Sequence, residues 1–228
     1  MIKKDKKIRV AVGMSGGVDS SVAALLLKKQ GYDVIGFFMK LWHDPCGTGE
    51  NACCDERAQA DARAVAAKLE IPFYVVDARA PFKEAVTDYF IQEYESARTP
   101  NPCLVCNKKI KFGWLLDFAK KNDCDFLATG HYAKVTSENG IQHLQKPVDS
   151  QKDQTYFLSG LNQDQLKSIM FPLSDLTKDT VRQIAKENGL PVYQKKESQE
   201  VCFIEDDYRD FLKRNANHID CCQRTHRP

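Results

Sequence analysis

The segment at residues 15–21 (SGGVDSS) has the composition of an anion-binding loop. Its adjacent glycines, Gly16 and Gly17, let the backbone turn sharply and approach a ligand with no Cβ in the way. Serine hydroxyls add donors, and a helix start directly beyond the loop would add free N–H groups and the positive end of the helix dipole. A phosphate is the simplest anion that fits. Because G-x-x-x-x-G-K-[ST] and G-x-G-x-x-G are both absent, the loop does not indicate γ-phosphate transfer of the kinase type.

Asp19 stands at the predicted helix start, where a carboxylate is suited either to hold Mg²⁺ or to cap the helix. The structural alternative for the whole segment is a glycine turn capped by Ser or Asp. A buried strand before the loop and a helix after it favour the anion-binding interpretation.

A second chemical group is the C-x-x-C of Cys103 and Cys106, which lies in a loop by composition and is followed by three lysines. A nucleophilic cysteine acts as a thiolate, which nearby cations and a helix start favour. Alone, the pair is compatible with a redox pair, half of a zinc site or coincidence. Zinc needs four ligands, and a second C-x-x-C is absent. Cys202 could supply a third sulfur, and three cysteines could hold an iron–sulfur cluster.

Two polar stretches complete the candidates. His131 follows Gly130 at the end of a predicted strand, where a histidine beside an anion loop is more often a ligand contact than a core residue. The trio at residues 152–154 (KDQ) precedes Thr155 and two aromatic residues. Taken alone, that trio predicts a helix start and a core anchor.

The elements that must position these residues alternate between strand and helix. Short apolar runs predict strands at residues 8–12, 34–39, 73–76 and 126–129. Helical spacing predicts helices at residues 21–30, 55–69, 82–94 and 112–121. This order predicts an α/β fold with a parallel, doubly wound sheet whose ligands bind at the carboxyl ends of the strands. Three unusual stretches follow predicted strands (GMSGGVDS, MKLWHDPC and TGHYAK), so we expect them on one rim.

The pattern changes after residue 133. A hairpin is predicted from residues 133–136 and 141–145, followed by helices at 163–169 and 180–188. A strand at residues 201–204 and a helix at 207–214 end the interpretable region. We therefore expect a catalytic domain over residues 1–150, the remainder of the catalytic region and the start of a mainly helical module over 151–214, and a divergent tail over 215–228.

Composition limits the function classes. The 228 residues, 43% hydrophobic, can bury one core and a small second module. The net charge of +2 excludes a global polyanion-binding field, so a nucleic-acid surface must be a local patch of Lys and Arg. Nine cysteines, an odd number, without an export signal indicate reduced thiols and a cytoplasmic location. No apolar run is long enough to span a membrane.

The SGGVDSS string resembles the PP-loop of ATP pyrophosphatases, in which the loop binds the phosphates of ATP and attack occurs at the α-phosphate. Over residues 10–213 the chain resembles the tRNA-specific 2-thiouridylase family. The matching segments are GMSGGVDSS, the strand ending at Met39, CCDERAQADARAVAAKLEIPFYV, RTPNPCLVCNKKIKF, ATGHYAK, KDQTYFL and SQEVCFI followed by DYRDFL. They occur in the order of the family.

The resemblance implies a role for each matching position. Cys106 would be the catalytic nucleophile and Cys202 the carrier of a persulfide sulfur. The positions implied in ATP binding are Gly13, Met14, Ser15, Gly16, Gly17, Val18, Asp19, Ser20, Met39 and Gly130. Those implied in contacts to the target base or tRNA are Asn101, Pro102, Cys103, His131, Lys152, Asp153 and Gln154.

The implied activity is thiolation of a tRNA uridine with ATP and Mg²⁺, in which a persulfide donor protein supplies sulfur and a Cys106–Cys202 disulfide forms. Some family members carry Asp at the position of Cys103, which leaves a spectator thiol, a second thiol and a cluster ligand as its possible roles. Family members continue into further modules, whereas the resemblance fades after Arg214. The alternatives are an ATP-dependent ligase of the same superfamily and a shortened chain that binds ATP or tRNA without turnover.

Overall fold

A computed structural model describes residues 7–44, 56–196, 201–204 and 207–215. Within these residues five parallel strands form one sheet in the order β3-β2-β1-β4-β7. The strands of this sheet are β1 (Arg9–Gly13), β2 (Asp33–Lys40), β3 (Phe73–Asp77), β4 (Phe126–Ala128) and β7 (Ile169–Met170). The predicted parallel α/β sheet is confirmed.

Helices cover both faces of the sheet. The α-helices of the described residues are α1 (Val18–Lys29), α2 (Glu56–Lys68), α3 (Arg79–Phe82), α4 (Asp88–Glu95), α5 (Pro102–Val105), α6 (Leu116–Lys121), α7 (Thr155–Leu158), α8 (Gln163–Leu166), α9 (Lys178–Glu187) and α10 (Tyr208–Asn215). Two π-helical segments, π1 (Lys83–Thr87) and π2 (Cys106–Leu115), continue α3 and α5 without a break. A 3₁₀ turn spans Ser150–Lys152.

The central strand shows why this sequence forms a covered sheet. Val10, Ala11 and Val12 in β1 are fully buried, so both faces of the strand lie against apolar side chains. Val10 pairs in register with Val34 of β2 on one side and with Phe126 of β4 on the other. Helices α1, α2 and α9 cover one face, and π2 and α6 cover the other.

A third apolar cluster lies beyond the sheet, around Phe82, Phe90, Phe203 and Phe211, whose rings meet mostly edge to face. Cys106 belongs to this cluster. The segment around Phe203 and helix α10 therefore pack against the helices that carry the C-x-x-C.

Several local predictions are corrected. The predicted strand at residues 201–204 is wrong, because the chain forms a turn there, with Ile204 N–H donating to the Val201 carbonyl. The predicted helix at 163–169 is only the single turn α8, after which Ile169 and Met170 form the fifth strand. The predicted hairpin is confirmed by β5 (Lys134–Glu138) and β6 (Ile141–Gln145), which pair antiparallel.

The C-x-x-C, predicted to lie in a loop, is helical. Asn101 caps α5 by accepting a hydrogen bond from Leu104 N–H at 3.1 Å, and Pro102 occupies the first turn. Cys103 lies in α5, and Cys106 begins π2. Among the described helices, none is long and apolar enough to cross a membrane.

Candidate functional site

A cavity of about 550 Å³ opens at the carboxyl edge of the sheet. Met14, Leu41 and Thr129, the residues that directly follow β1, β2 and β4, all line it. The candidate residues that line it are Gly13, Met14, Ser15, Asp19, Ser20, Met39, Pro102, Cys103, Cys106, Gly130, His131, Lys152, Asp153, Gln154 and Cys202. The anion loop, the C-x-x-C, the distant Cys202 and the KDQ trio therefore meet at one site.

The anion loop is held by its own hydroxyls and by close packing. The side chains of Ser20 and Ser21 both donate to the carbonyl of Gly17, and Ser15 N–H donates to Ser20 Oγ at 3.2 Å. Gly16 has a φ of +72°, and a Cβ there would lie 2.2 Å from the Ala58 carbonyl oxygen of α2. Only glycine fits that position.

Asp19 neither caps α1 nor stands free for a metal ion. Helix α1 has Gly17 at its N-cap with no side-chain cap, so the capping alternative is wrong. Both carboxylate oxygens of Asp19 lie 2.7 Å from the ammonium of Lys178, and one also accepts from the Tyr132 hydroxyl at 2.9 Å. Gly130 packs against the same turn, where a Cβ would lie 2.6 Å from the Asp19 carbonyl carbon.

Lys178 contacts the anion loop through Asp19, and the sequence did not point to it. It is buried at the start of α9, and its backbone N–H donates to Asp149, whose other oxygen accepts from Gln151 N–H at the 3₁₀ turn. The loop lacks the lysine of a conventional P-loop, but the fold brings an ammonium to it from far along the chain. The signal that could have found it is a lysine just before the predicted helix at 180–188, because a cation is unfavourable at a helix N-terminus.

Cys106 lies where α5 passes into the unusual π2 segment, at the cavity wall. The side-chain amide of Gln165, in α8, donates to two backbone carbonyls of π2, those of Lys108 at 3.1 Å and Phe112 at 2.8 Å. Gly113 allows this wide turn, because a Cβ there would lie 3.0 Å from the Lys108 oxygen. Short π-helical stretches often occur at functional sites, and this one places Cys106, Asn107 and Lys111 on the cavity.

The described cysteines are Cys103, Cys106, Cys124 and Cys202. Cys106 is buried, Cys103 is exposed and Cys202 is intermediate. No group of three His, Cys, Asp or Glu side chains within the described ranges could hold a metal ion, so this geometry does not support the iron–sulfur or zinc alternatives. The remaining cysteines lie outside the described residues.

His131 lies in the cavity wall with its ring buried. Its Nδ1 lies 2.7 Å from Thr129 Oγ1, and its ring packs against Phe112 and Phe171. Burial holds the pKa of His131 well below its usual value of 6.5, and the charge of Lys111 lowers this pKa further. The ring is therefore neutral near pH 7 and can offer a hydrogen bond but not a charge.

The KDQ trio is fixed by its neighbours. Gln154 exchanges two hydrogen bonds with the backbone of Tyr132, and Asp153 accepts from both the N–H and the hydroxyl of Thr155. The bonds to Thr155 lower the pKa of Asp153, although its partial burial opposes this. The predicted helix start is thus confirmed, since α7 begins at Thr155.

Four candidate residues are not among the described residues that line the cavity. Three of them belong to the anion loop and the start of α1 but do not face the cavity, namely Gly16, Gly17 and Val18. The fourth, Asn101, caps α5 and donates to the Tyr156 hydroxyl at 3.4 Å. Conversely, the cavity includes polar residues that sequence reasoning did not assign to it, namely Asn107, Lys111, Tyr132 and Gln151. Lys111 and Lys152 give the cavity two cationic side chains.

The parallel sheet with a glycine–serine turn directly after its first strand is the arrangement expected from the resemblance to the PP-loop class of ATP pyrophosphatases. A solved structure described as a 4-thiouridine synthetase–RNA complex with bound ATP shares this fold, with a TM-score of 0.54 and 15% identity over 92% of this chain and 50% of that one.

The family model for the tRNA methyl transferase HUP domain matches residues 8–206, and the chain belongs to that family. A tRNA-specific 2-thiouridylase MnmA of Clostridioides difficile is 52% identical over 212 residues, which are 91% of this chain and 59% of that protein. The protein of the same name from Clostridium perfringens is 53% identical over 88% of this chain and 56% of its own length. The chain thus spans less than two thirds of the length of these relatives.

Proposed function

We propose that this chain carries the ATP-binding and sulfur-transferring part of a tRNA 2-thiouridine synthase. One observation carries the proposal: the anion loop, Cys106 and Cys202 line the same cavity. An activating phosphate and a sulfur-carrying thiol can therefore reach one pyrimidine. The relatives named as 2-thiouridylases support the choice of tRNA as substrate.

In the proposed first half-reaction, the O2 atom of uridine attacks the α-phosphate of ATP. The loop at residues 13–20 holds the phosphates, pyrophosphate leaves, and the base releases its N3 proton to solvent as the O2–phosphorus bond forms. A poor leaving group thereby becomes AMP. The apolar walls formed by Phe37, Met39 and Phe157 limit water, which would otherwise hydrolyse the adenylate.

In the second half-reaction, the terminal sulfur of a Cys202 persulfide bonds to C2, and AMP departs with the former O2. The Cys106 thiolate then attacks the Cys202 sulfur. This breaks the sulfur–sulfur bond, leaves the transferred sulfur on the base, and forms a Cys106–Cys202 disulfide that an external dithiol reduces. The persulfide sulfur would come from a separate donor protein, and its tRNA substrate would place the chain in the cytoplasm.

The implied Mg²⁺ does not fit the protein residues as expected. Asp19, its predicted ligand, is bound to Lys178 and Tyr132. Asp19 therefore does not offer an open carboxylate to a magnesium ion, and Mg²⁺ would arrive on the phosphate oxygens of ATP. The proposed contacts to the target base and tRNA remain Asn101, Pro102, Cys103, His131 and the KDQ trio.

The test is to incubate the chain with ATP, Mg²⁺, a cysteine persulfide donor and unmodified tRNA. We expect 2-thiouridine by mass spectrometry together with AMP release, and loss of 2-thiouridine in Cys106→Ser and Cys202→Ser. The matched control is Cys124→Ala, because Cys124 is buried in the sheet core outside the cavity. AMP release without thiolation would favour a different ATP-dependent ligase, and neither product would favour a chain that binds without turnover.

A further inference from the structure

Asn107 carries a buried acceptor that the protein does not use. The residue follows Cys106 in π2, is only 3% exposed and lines the cavity. Its Oδ1 has no hydrogen-bond partner within the part of the chain that the structure describes. Leaving a buried carbonyl oxygen unpaired is unfavourable, so native proteins retain such a group where it has a use.

The orientation of the Asn107 amide is set by its neighbour. Nδ2 donates to the backbone carbonyl of Phe157 at 3.2 Å. Because a carbonyl only accepts, the amide nitrogen must face Phe157, and the oxygen must be the atom left over. The unsatisfied group is thus an acceptor, and it requires a donor from outside the described protein.

The surroundings limit what that donor can be. Asn107 stands between Cys106, which lies next to it in the chain, and α7, which directly follows the KDQ trio. The cavity that Asn107 lines is also lined by the aromatic residues Phe157 and His131 and by Cys106 and Cys202. A flat base with one imide N–H fits this wall, because its faces contact rings while its edge supplies the donor.

We propose that Asn107 Oδ1 accepts the N3–H of a pyrimidine in this cavity and thereby selects uridine over cytidine. This inference rests on the proposed function and adds a specificity-determining residue to it. In uridine, N3 is bonded to C2, the carbon that receives sulfur. Asn107, which follows Cys106 in the chain and lines the same cavity, therefore reads the atom next to the reacting carbon. Cytidine presents an unprotonated N3, which would place two acceptors face to face and leave both unpaired.

The test measures binding of three tRNA transcripts that differ only at the target position, which is uridine, cytidine or N3-methyluridine. The parent chain is expected to bind the uridine transcript about tenfold more tightly than the other two, the effect of one buried hydrogen bond. Asn107→Ala is expected to weaken binding of the uridine transcript to that lower level and to leave the other two affinities unchanged. Thermal unfolding of both chains measures the separate effect of losing the Phe157 bond.

A purely structural role for Asn107 predicts a different pattern, because a displaced α7 would weaken binding of all three transcripts equally. That result would overturn the inference but would leave the proposed function intact. Equal affinities of the parent chain for the three transcripts would have the same consequence. Absence of binding to any transcript would overturn the proposed function and this inference with it. Gln165→Ala serves as a second variant, since it removes a support of π2 without touching the Asn107 acceptor.

Discussion

The ammonium of Lys178 lies 2.7 Å from both carboxylate oxygens of Asp19, although the two residues are 159 positions apart in the sequence. Their side chains are 10% and 29% exposed, so this pair is shielded from water far better than the surface ion pairs. The contact joins helix α9 to the first turn of α1. It therefore holds the anion loop in place from outside the loop itself.

We expect Lys178→Met to lower the free energy of unfolding by about 2 kcal/mol, because it leaves the Asp19 carboxylate partly buried with the Tyr132 hydroxyl as its remaining described side-chain partner. Urea unfolding followed by circular dichroism measures the change. A matched control is Lys134→Met, which removes an exposed pair with Asp175 and should cost less than about 1 kcal/mol. Equal losses in the two variants would show that the Lys178 pair is no more than a surface contact.

Gly16→Ala should destabilise the chain by about 3 kcal/mol or more. The positive φ of +72° is strained for alanine, and the new methyl group would overlap the Ala58 carbonyl. Gly31→Ala separates these two causes, since Gly31 has a φ of +91° but nothing within 4 Å of an added Cβ. The control should lose only the backbone part, about 1–2 kcal/mol. If the two variants unfold at the same urea concentration, the packing of the loop against α2 is not as described.

Stability should fall as the pH is lowered through the range below 6.5. Burial lowers the pKa of His131 in the folded chain below its usual 6.5, so the unfolded chain binds more protons in this interval. The stabilisation is therefore complete above about pH 6.5 and is lost on acidification, with a slope of up to about 1.4 kcal/mol per pH unit.

His131→Gln should flatten this pH dependence in urea unfolding measured between pH 7 and pH 5. His143→Gln is the control, because His143 is an exposed ring in the β5–β6 hairpin. A decline that is equally steep in the parent and in His131→Gln would mean that other groups cause it and that His131 is not buried as a neutral ring.

Much of the fold follows from local patterns that the sequence displays. The buried run around Val10–Val12 predicts a strand because both faces are apolar, and Gly16–Gly17 predicts a tight turn because few other residues adopt it. The rim was predictable for the same reason, since carboxyl ends of parallel strands meet at one edge. The prediction that Cys106 and Cys202 share one site came from the family resemblance. No local sequence pattern indicates it.

The rest depended on contacts between distant residues. Ile169 and Met170 form a strand only because β4 offers an open edge, and two residues are too few for a periodic signal. The segment at residues 201–204 has strand-like composition, but its apolar side chains pack in the aromatic cluster that includes Phe203 and do not join a sheet. The Lys178–Asp19 pair and the free acceptor of Asn107 are properties of the folded chain alone.

In the proposed mechanism, Cys106 and Cys202 act together at a base activated by the anion loop. The most direct measurement is a single turnover with chain persulfidated at Cys202, ATP, Mg²⁺ and tRNA, without reductant, followed by disulfide mapping by mass spectrometry. We predict a Cys106–Cys202 linked peptide in the same molar amount as the 2-thiouridine formed. Formation of 2-thiouridine while both thiols stay unlinked would contradict the claim.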